Sequence, residues 1–283
     1  MKLPFLRFAT MPDTSSSPDT ARAVEATPSA PLLGWGAEFQ IALTFLTRLP
    51  APFAGGSEAQ PVGASVRAFP LVGVVIGAIA GAIYLIADFL GLSPTIAALL
   101  AVATMAIVTG GLHEDGLADS ADGLGARTRE QALAIMRDSH IGTFGVMALI
   151  FVLSLRVVGL SYAGSTVEAF LLLIACAAGS RAVVPAVMYM LPPARRDGLG
   201  WAAGHPDRRR VVDAGALGAL IVVAMLWPIW GLVAIVAATI AGCAVGWLAR
   251  KRLGGQTGDV LGAAQQLSET AIILGYIASP TWI

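Results

Sequence analysis

The stretch Gly110 to Gly123 reads Gly-Gly-Leu-His-Glu-Asp-Gly-Leu-Ala-Asp-Ser-Ala-Asp-Gly and holds Asp115, Asp119 and Asp122 at spacings of four and three. On a helix these spacings put all three carboxylates on one face. Like charges so placed repel, and no Lys or Arg interleaves before Arg127, which calls for a neutralising divalent cation. The alternative is a solvated acidic helix start, although the glycines make a poor surface helix. Hard oxygen donors with no cysteine among them, and only Glu114 and His113 beside them, favour magnesium or manganese over zinc. Magnesium held by a few carboxylates usually bridges to substrate phosphates. There it neutralises charge on the transferring group and lowers the pKa of an attacking hydroxyl.

Phosphoryl transfer also needs cationic clamps. Arg137, Arg195 and Arg196 lie in polar segments, while Arg181 and Arg156 lie inside apolar ones. An arginine amid hydrocarbon is by default a functional hypothesis, and an interhelical structural pair is the other reading. A second polar run, Gly254 to Gly262, contains Gln256, Thr257, Gly258 and Asp259 and has the composition to wrap phosphate with backbone N–H groups, or to serve as a flexible connector. Asp259, with Glu269 further on, would add acid to the same face.

The elements that must position these groups are membrane helices. The chain is 56% hydrophobic and 13% charged, against about a quarter charged in soluble domains. Stretches long enough to span, at roughly 20 apolar residues each, run near Phe69–Phe89, Pro94–Leu112, Gly142–Tyr162, Val167–Leu191, Val211–Trp227 and Ile229–Ala249. Gly34–Leu49 is weaker, suited to the interface or partial entry, and Thr270–Ile283 is short enough to be re-entrant. The expectation is an all-α polytopic bundle of about six to eight membrane helices. Residues 1–33, rich in Ser, Thr, Pro and Ala, are expected to be a disordered tail, with 34–283 a membrane-embedded catalytic domain.

Threading the chain through these spans puts 1–67, 113–141, 192–210 and 250–269 on one side. Every Lys and Arg except Arg156 and Arg181 falls there, so by the positive-inside rule that side is cytoplasmic, and with it the active site. Arg208, Arg209 and Arg210 read as topology determinants. The small-residue run Gly73-Val-Val-Ile-Gly77 suits close helix packing, and Cys176 and Cys243 read as small buried hydrophobes. A net charge of +0 offers no basic field for nucleic acid.

Four motifs, in order, resemble the cobalamin synthase family, the adenosylcobinamide-GDP ribazoletransferases. They are Phe45-Leu-Thr-Arg-Leu-Pro50, the acidic stretch above, Ile135-Met-Arg-Asp-Ser-His-Ile-Gly-Thr-Phe-Gly145, and Gly254-Gly-Gln-Thr-Gly-Asp-Val-Leu-Gly-Ala263. The segment Ala194 to Gly200 also resembles the family's arginine-containing loop. His140 stands where many members carry arginine, and Gln266 where glutamate is expected. The resemblance implies a magnesium-dependent enzyme of the prokaryotic inner membrane. It would join α-ribazole, or its 5′-phosphate, to adenosylcobinamide-GDP, giving adenosylcobalamin, or its 5′-phosphate, and GMP. On that reading Glu114, Asp115, Asp119 and Asp122 hold Mg²⁺, Asp138 or His113 is the base, and Arg181 and Arg195 hold phosphoryl oxygens. Arg137, Ser139, His140, Gln256, Thr257, Gly258, Asp259 and Glu269 contact substrate. The lipid bilayer is the surrounding partner, and a homo-oligomer is compatible with it.

Two other classes fit parts of the chain. Gly111-x-x-x-Asp115-x-x-x-Asp119 matches the second half of the CDP-alcohol phosphotransferase signature, whose first half is missing upstream. A transporter would use Arg156 and Arg181 to line a path, but such sites usually lie at the midplane within inverted repeats, and no repeat is evident.

Overall fold

A computed structural model describes residues 34–50 and 61–278, so the expected tail, residues 1–33, lies outside the described residues. The described residues form eleven α-helices: α1 (Trp35–Leu46), α2 (Phe69–Phe89), α3 (Pro94–Thr109), α4 (Leu112–Leu124), α5 (Arg129–Ile135), α6 (Thr143–Ser161), α7 (Thr166–Met190), α8 (Gly198–Ala202), α9 (Arg208–Leu226), α10 (Pro228–Leu253) and α11 (Gly258–Ile277). Among them no strand forms, and the extended pairing is confined to one bridge between Pro193 and Gln256.

The helices α2, α6, α7 and α10 are each long and apolar enough to cross a membrane, and the bent pair α3 and α4 raises the number to five. This is a smaller number than the six to eight expected, and the difference lies in α9 and α11. Helix α9 opens on Arg208, Arg209 and Arg210, and α11 carries Gln265, Gln266 and Glu269 at mid-length. Those three side chains are buried against other helices rather than turned to lipid, so a test of apolarity misses α11. Its 20 residues measure about 30 Å. Its start packs on α4, and near its end the Tyr276 hydroxyl donates to Glu168, in the first turn of α7, at 3.2 Å. The described part of the expected short segment Thr270–Ile283 is therefore, up to Ile277, the end of a 20-residue helix that begins at Gly258.

Close packing follows the small residues. A Cβ on Gly77 would lie 2.6 Å from Ile174 Cα, and one on Gly73 2.7 Å from the Ala177 carbonyl carbon, so α2 and α7 meet backbone to backbone. The break between α9 and α10 falls at Trp227, at φ 67°, where the expected spans Val211–Trp227 and Ile229–Ala249 part. Cys176 is buried as expected, but Cys243 is exposed, on a helix face that carries the apolar residues Ile240 and Trp247 outward.

The connections at one end of the bundle are laced together. Arg129 donates to the Leu253 carbonyl at 2.6 Å and to that of Ala194 at 2.8 Å, and Arg252 to that of Ala126 at 2.6 Å. The Gln256 N–H donates to the Pro192 carbonyl and the Ala194 N–H to that of Gln256, each at 2.8 Å. Arg210, read from sequence as a topology charge, also lies 3.4 Å from the buried carboxylate of Glu38, which pairs with Arg67 as well.

Inside the bundle a charged network ties α4, α6, α7 and α11. Arg156 pairs with Glu269 and donates to Gln266 Oε1 at 2.8 Å. Arg181 lies 3.5 Å from Glu269, and Gln265 bonds both Glu269 and Ser180. Gln266 donates to Glu114 at 3.0 Å. Arg156, Arg181 and Glu269 are each 1% exposed. Removing one partner of a buried ion pair strands the other, at about 3–5 kcal/mol. Glu269→Leu strands two arginines and should lower the unfolding temperature of purified protein by several degrees, whereas Glu269→Asp should cost less. An unchanged midpoint for the leucine variant would mean that the network bears little of the fold.

Candidate active site

Helix α3 ends on two consecutive left-handed glycines, Gly110 at φ 67° and Gly111 at φ 71°, and α4 leaves at 91° to it. The turn carries the acidic stretch out of the apolar span and lays it across the start of α11. There a Cβ on Gly116 would lie 2.9 Å from the Asp259 carbonyl oxygen, and one on Gly262 3.2 Å from Gly116 Cα. Without side chains at this crossing, α4 and α11 touch, and Asp259 comes up beside Asp115 and Asp119.

The electrostatics record the gathering. Asp119 is pushed up to about 7, first by burial and then by the charges of Asp115, Asp259 and Asp122, against the opposing pull of Arg195. Arg195 lies 3.4 Å from Asp259 and 3.3 Å from Asp197, with its Nη1 buried and without a hydrogen-bond partner. Thr257 caps α11 through the Val260 N–H and donates to Asp259 at 3.1 Å, while Gln256 is buried with its Oε1 unpartnered. Asp115, Asp119 and Asp259, with Arg195 beside the last of them, form an acidic centre of hard oxygen donors, suited to Mg²⁺ in chemistry and charge. As the side chains stand, no three His, Cys, Asp or Glu among the described residues converge at ligand distances.

The remaining expected residues fall into three places. Asp122 caps α6: the Gly142 and Gly145 N–H groups donate to its two oxygens at 2.7 and 2.9 Å. Glu114, Arg181 and Glu269 belong to the buried network, with Glu114 turned to Gln266 and Arg156, so for Arg181 the interhelical pairing is what the fold realises. Arg137, Asp138, Ser139 and His140 are exposed between α5 and α6. His140 sits 2.6 Å from Asp138, and this bond holds the Asp138 carboxyl below its usual range and raises His140. Arg137 donates to Asp197 at 2.8 Å, which links this segment to Arg195 through a shared carboxylate. His113 is buried, 4% exposed, with Nδ1 unpartnered, and lines a cavity with Asp115, Arg195 and Asp259.

Sequence reasoning missed the partners of the two intramembrane arginines. Gln265, Gln266 and Ser180 carried a signal, since each is a polar residue within a helix that otherwise reads apolar. Because Asp119 is raised to about 7, the cation-free centre holds a proton below that pH and sheds it above. A divalent cation must displace that proton, so apparent Mg²⁺ affinity should fall as the pH is lowered from about 8 to about 6. The cation-induced rise in unfolding temperature, measured across that range, checks this; a pH-independent rise would remove Asp119 from the cation's surroundings.

Known proteins share this arrangement's sequence. The family model described as cobalamin-5-phosphate synthase matches residues 38–277. The chain is 46% identical over 242 residues to an adenosylcobinamide-GDP ribazoletransferase of Bradyrhizobium diazoefficiens, covering 84% of this chain and 92% of that one. It is 43% identical over 252 residues to the Azorhizobium caulinodans protein of the same name, covering 85% and 95%, and 42% identical over 242 residues to that of Rhizobium etli, covering 82% and 93%. No solved structure matches it. The matched span takes in both helices of the acidic crossing, the Arg195 segment and the buried network, and by these matches the chain belongs to the cobalamin-5-phosphate synthase family.

Proposed function

We propose that this chain is an adenosylcobinamide-GDP ribazoletransferase, joining α-ribazole or its 5′-phosphate to adenosylcobinamide-GDP with release of GMP. The observation that carries the reading is a relative of that name, 46% identical across 84% of the chain, together with a single acidic centre beside an arginine. A hydroxyl oxygen of the ribazole attacks the phosphorus that bears the cobinamide. The new P–O bond forms as the bond to the bridging oxygen breaks, GMP leaves with that oxygen, and the hydroxyl proton passes to a base.

The residues divide the work. Asp115, Asp119 and Asp259 hold Mg²⁺, with Asp122 behind them fixing α4 to α6 and Glu114 fixing α4 to the interior. When bound, the cation offsets phosphoryl charge and acidifies the attacking hydroxyl. Arg195, whose Nη1 has no hydrogen-bond partner, meets phosphoryl oxygens, and Arg137 joins it through Asp197. His113 is favoured as the base over Asp138, because it is buried beside Asp115 in the same cavity, whereas Asp138 is exposed and engaged with His140. Gln256, Thr257 and Gly258 present the nucleotide with the turn before α11. Ser139 and His140 meet the substrate's exposed part.

The helices α3, α9 and α11 join the four apolar ones as crossings, giving seven. The laced end, which carries the basic residues, faces the cytoplasm of a prokaryotic inner membrane.

The test is GMP and cobalamin formation by purified protein given adenosylcobinamide-GDP and α-ribazole 5′-phosphate, with and without Mg²⁺. Magnesium-dependent formation of both products is expected. Asp119→Asn should cut turnover by at least about 10²-fold, while unfolding no lower than wild type without the cation, since a repelling charge is gone. Near-normal turnover in that variant would exclude Asp119 from the centre.

A further inference from the structure

The cavity beside the acidic centre has two kinds of lining. Asp115, His113, Arg195 and Asp259 come from α4, the segment before α8 and the start of α11. The rest is largely apolar; α1, α2 and α7 bring Phe45, Phe69, Val184 and Met188 to it, and Leu112, Leu199 and Leu261 join them from α4, α8 and α11. Phe69, Met188 and Val184 are 1%, 2% and 7% exposed, so this wall is firmly packed.

Its volume of about 270 Å³ sits just under the usual range of small-ligand pockets, about 300–1,000 Å³. A macrocycle with its amide side chains does not fit, and the cobinamide must lie outside. Two flat groups of suitable size enter the reaction: the guanine of the donor and the base of the acceptor riboside. Guanine presents several N–H and C=O groups, which a wall of Phe, Val and Met would leave unpaired, and unpaired buried polar groups cost about 1–3 kcal/mol each. The ribazole base is an apolar fused bicycle whose polar feature is one free ring nitrogen. The cavity's narrow polar side, where His113 and Asp115 stand, suits one such nitrogen.

We propose that this cavity is the acceptor pocket, in which Phe45, Phe69, Val184 and Met188 enclose the riboside base, and Val184 and Met188 set which base is joined. The proposal rests on the transferase reading. It places the ribose at the Asp115 and Asp259 side, where its hydroxyl can meet the phosphorus.

The experiment uses the full chain, purified in detergent, with ribosides of dimethylated and unsubstituted benzimidazole. Met188→Ala should raise KM for α-ribazole about tenfold, equal to about 1.4 kcal/mol, with KM for adenosylcobinamide-GDP changed less than about twofold. Val184→Phe narrows the pocket and should shift preference toward the unsubstituted riboside by about tenfold. That gain of discrimination is one that a folding defect does not produce. Equal loss for both ribosides, or a rise confined to the KM of adenosylcobinamide-GDP, overturns the pocket assignment while leaving the reaction intact. If wild type forms no cobalamin, the transferase reading falls, and calorimetric titration of α-ribazole decides the pocket: binding weakened tenfold by Met188→Ala keeps it, and no binding to wild type ends it.

Discussion

A charge in the interior of a membrane bundle has to be answered by another charge or by dense hydrogen bonding, and the rest of this structure is arranged around that requirement. Arg156 and Arg181 share one carboxylate, Glu269, and the amides of Gln265 and Gln266 add bonds to Glu269 and to Arg156. The cluster specifies which faces of α6, α7 and α11 meet, because any rotation would pull a guanidinium away from its acid. Apolar faces in lipid lack that discrimination, since lipid and protein present the same chemistry to them.

The same cluster reaches the chemistry through Glu114. That side chain is bonded to Gln266 on one side and near Arg156 on the other, so the first turn of α4 is held by the interior. The far end of α4 is held by Asp122 at the start of α6. Between these two anchors lie Asp115 and Asp119, supported by bonds at both ends of a 13-residue helix. Mutual repulsion among the acids is thereby sustained by contacts outside the centre.

Much of this was legible in the sequence. The spacing of Asp115, Asp119 and Asp122, the Trp227 break, the packing glycines Gly73 and Gly77, and the grouping of Arg195 with the 256–259 run all survive in three dimensions. What the sequence hid follows from one cause. Apolarity marks residues that avoid water, and within a bilayer both the core and the lipid face do so. Cys243 therefore turned out exposed, and α11 was divided at its polar middle because its amides and acid point inward. One-face spacing of the aspartates likewise says nothing of which carboxylate has its oxygens taken by backbone N–H groups, as those of Asp122 are. Arg181 read as a phosphate clamp because its partner lies on a distant helix.

That distance has a consequence for how the protein is made. Arg156 precedes Glu269 by 113 residues in the chain, so α6 and α7 emerge from the ribosome, and α9 and α10 after them, while the carboxylate that both arginines require has yet to be synthesised. Until then Arg156 has Glu114, at 3.8 Å, as its counter-charge and Arg181 lacks its nearest one, and the early helices have reason to stay loosely associated. Entry of α11 brings Glu269 to both at once. The same helix carries Asp259 at its leading end, so the step that closes the bundle is also the step that brings the last carboxylate to the acidic centre. An unfinished chain thus lacks the full set of carboxylates at that centre.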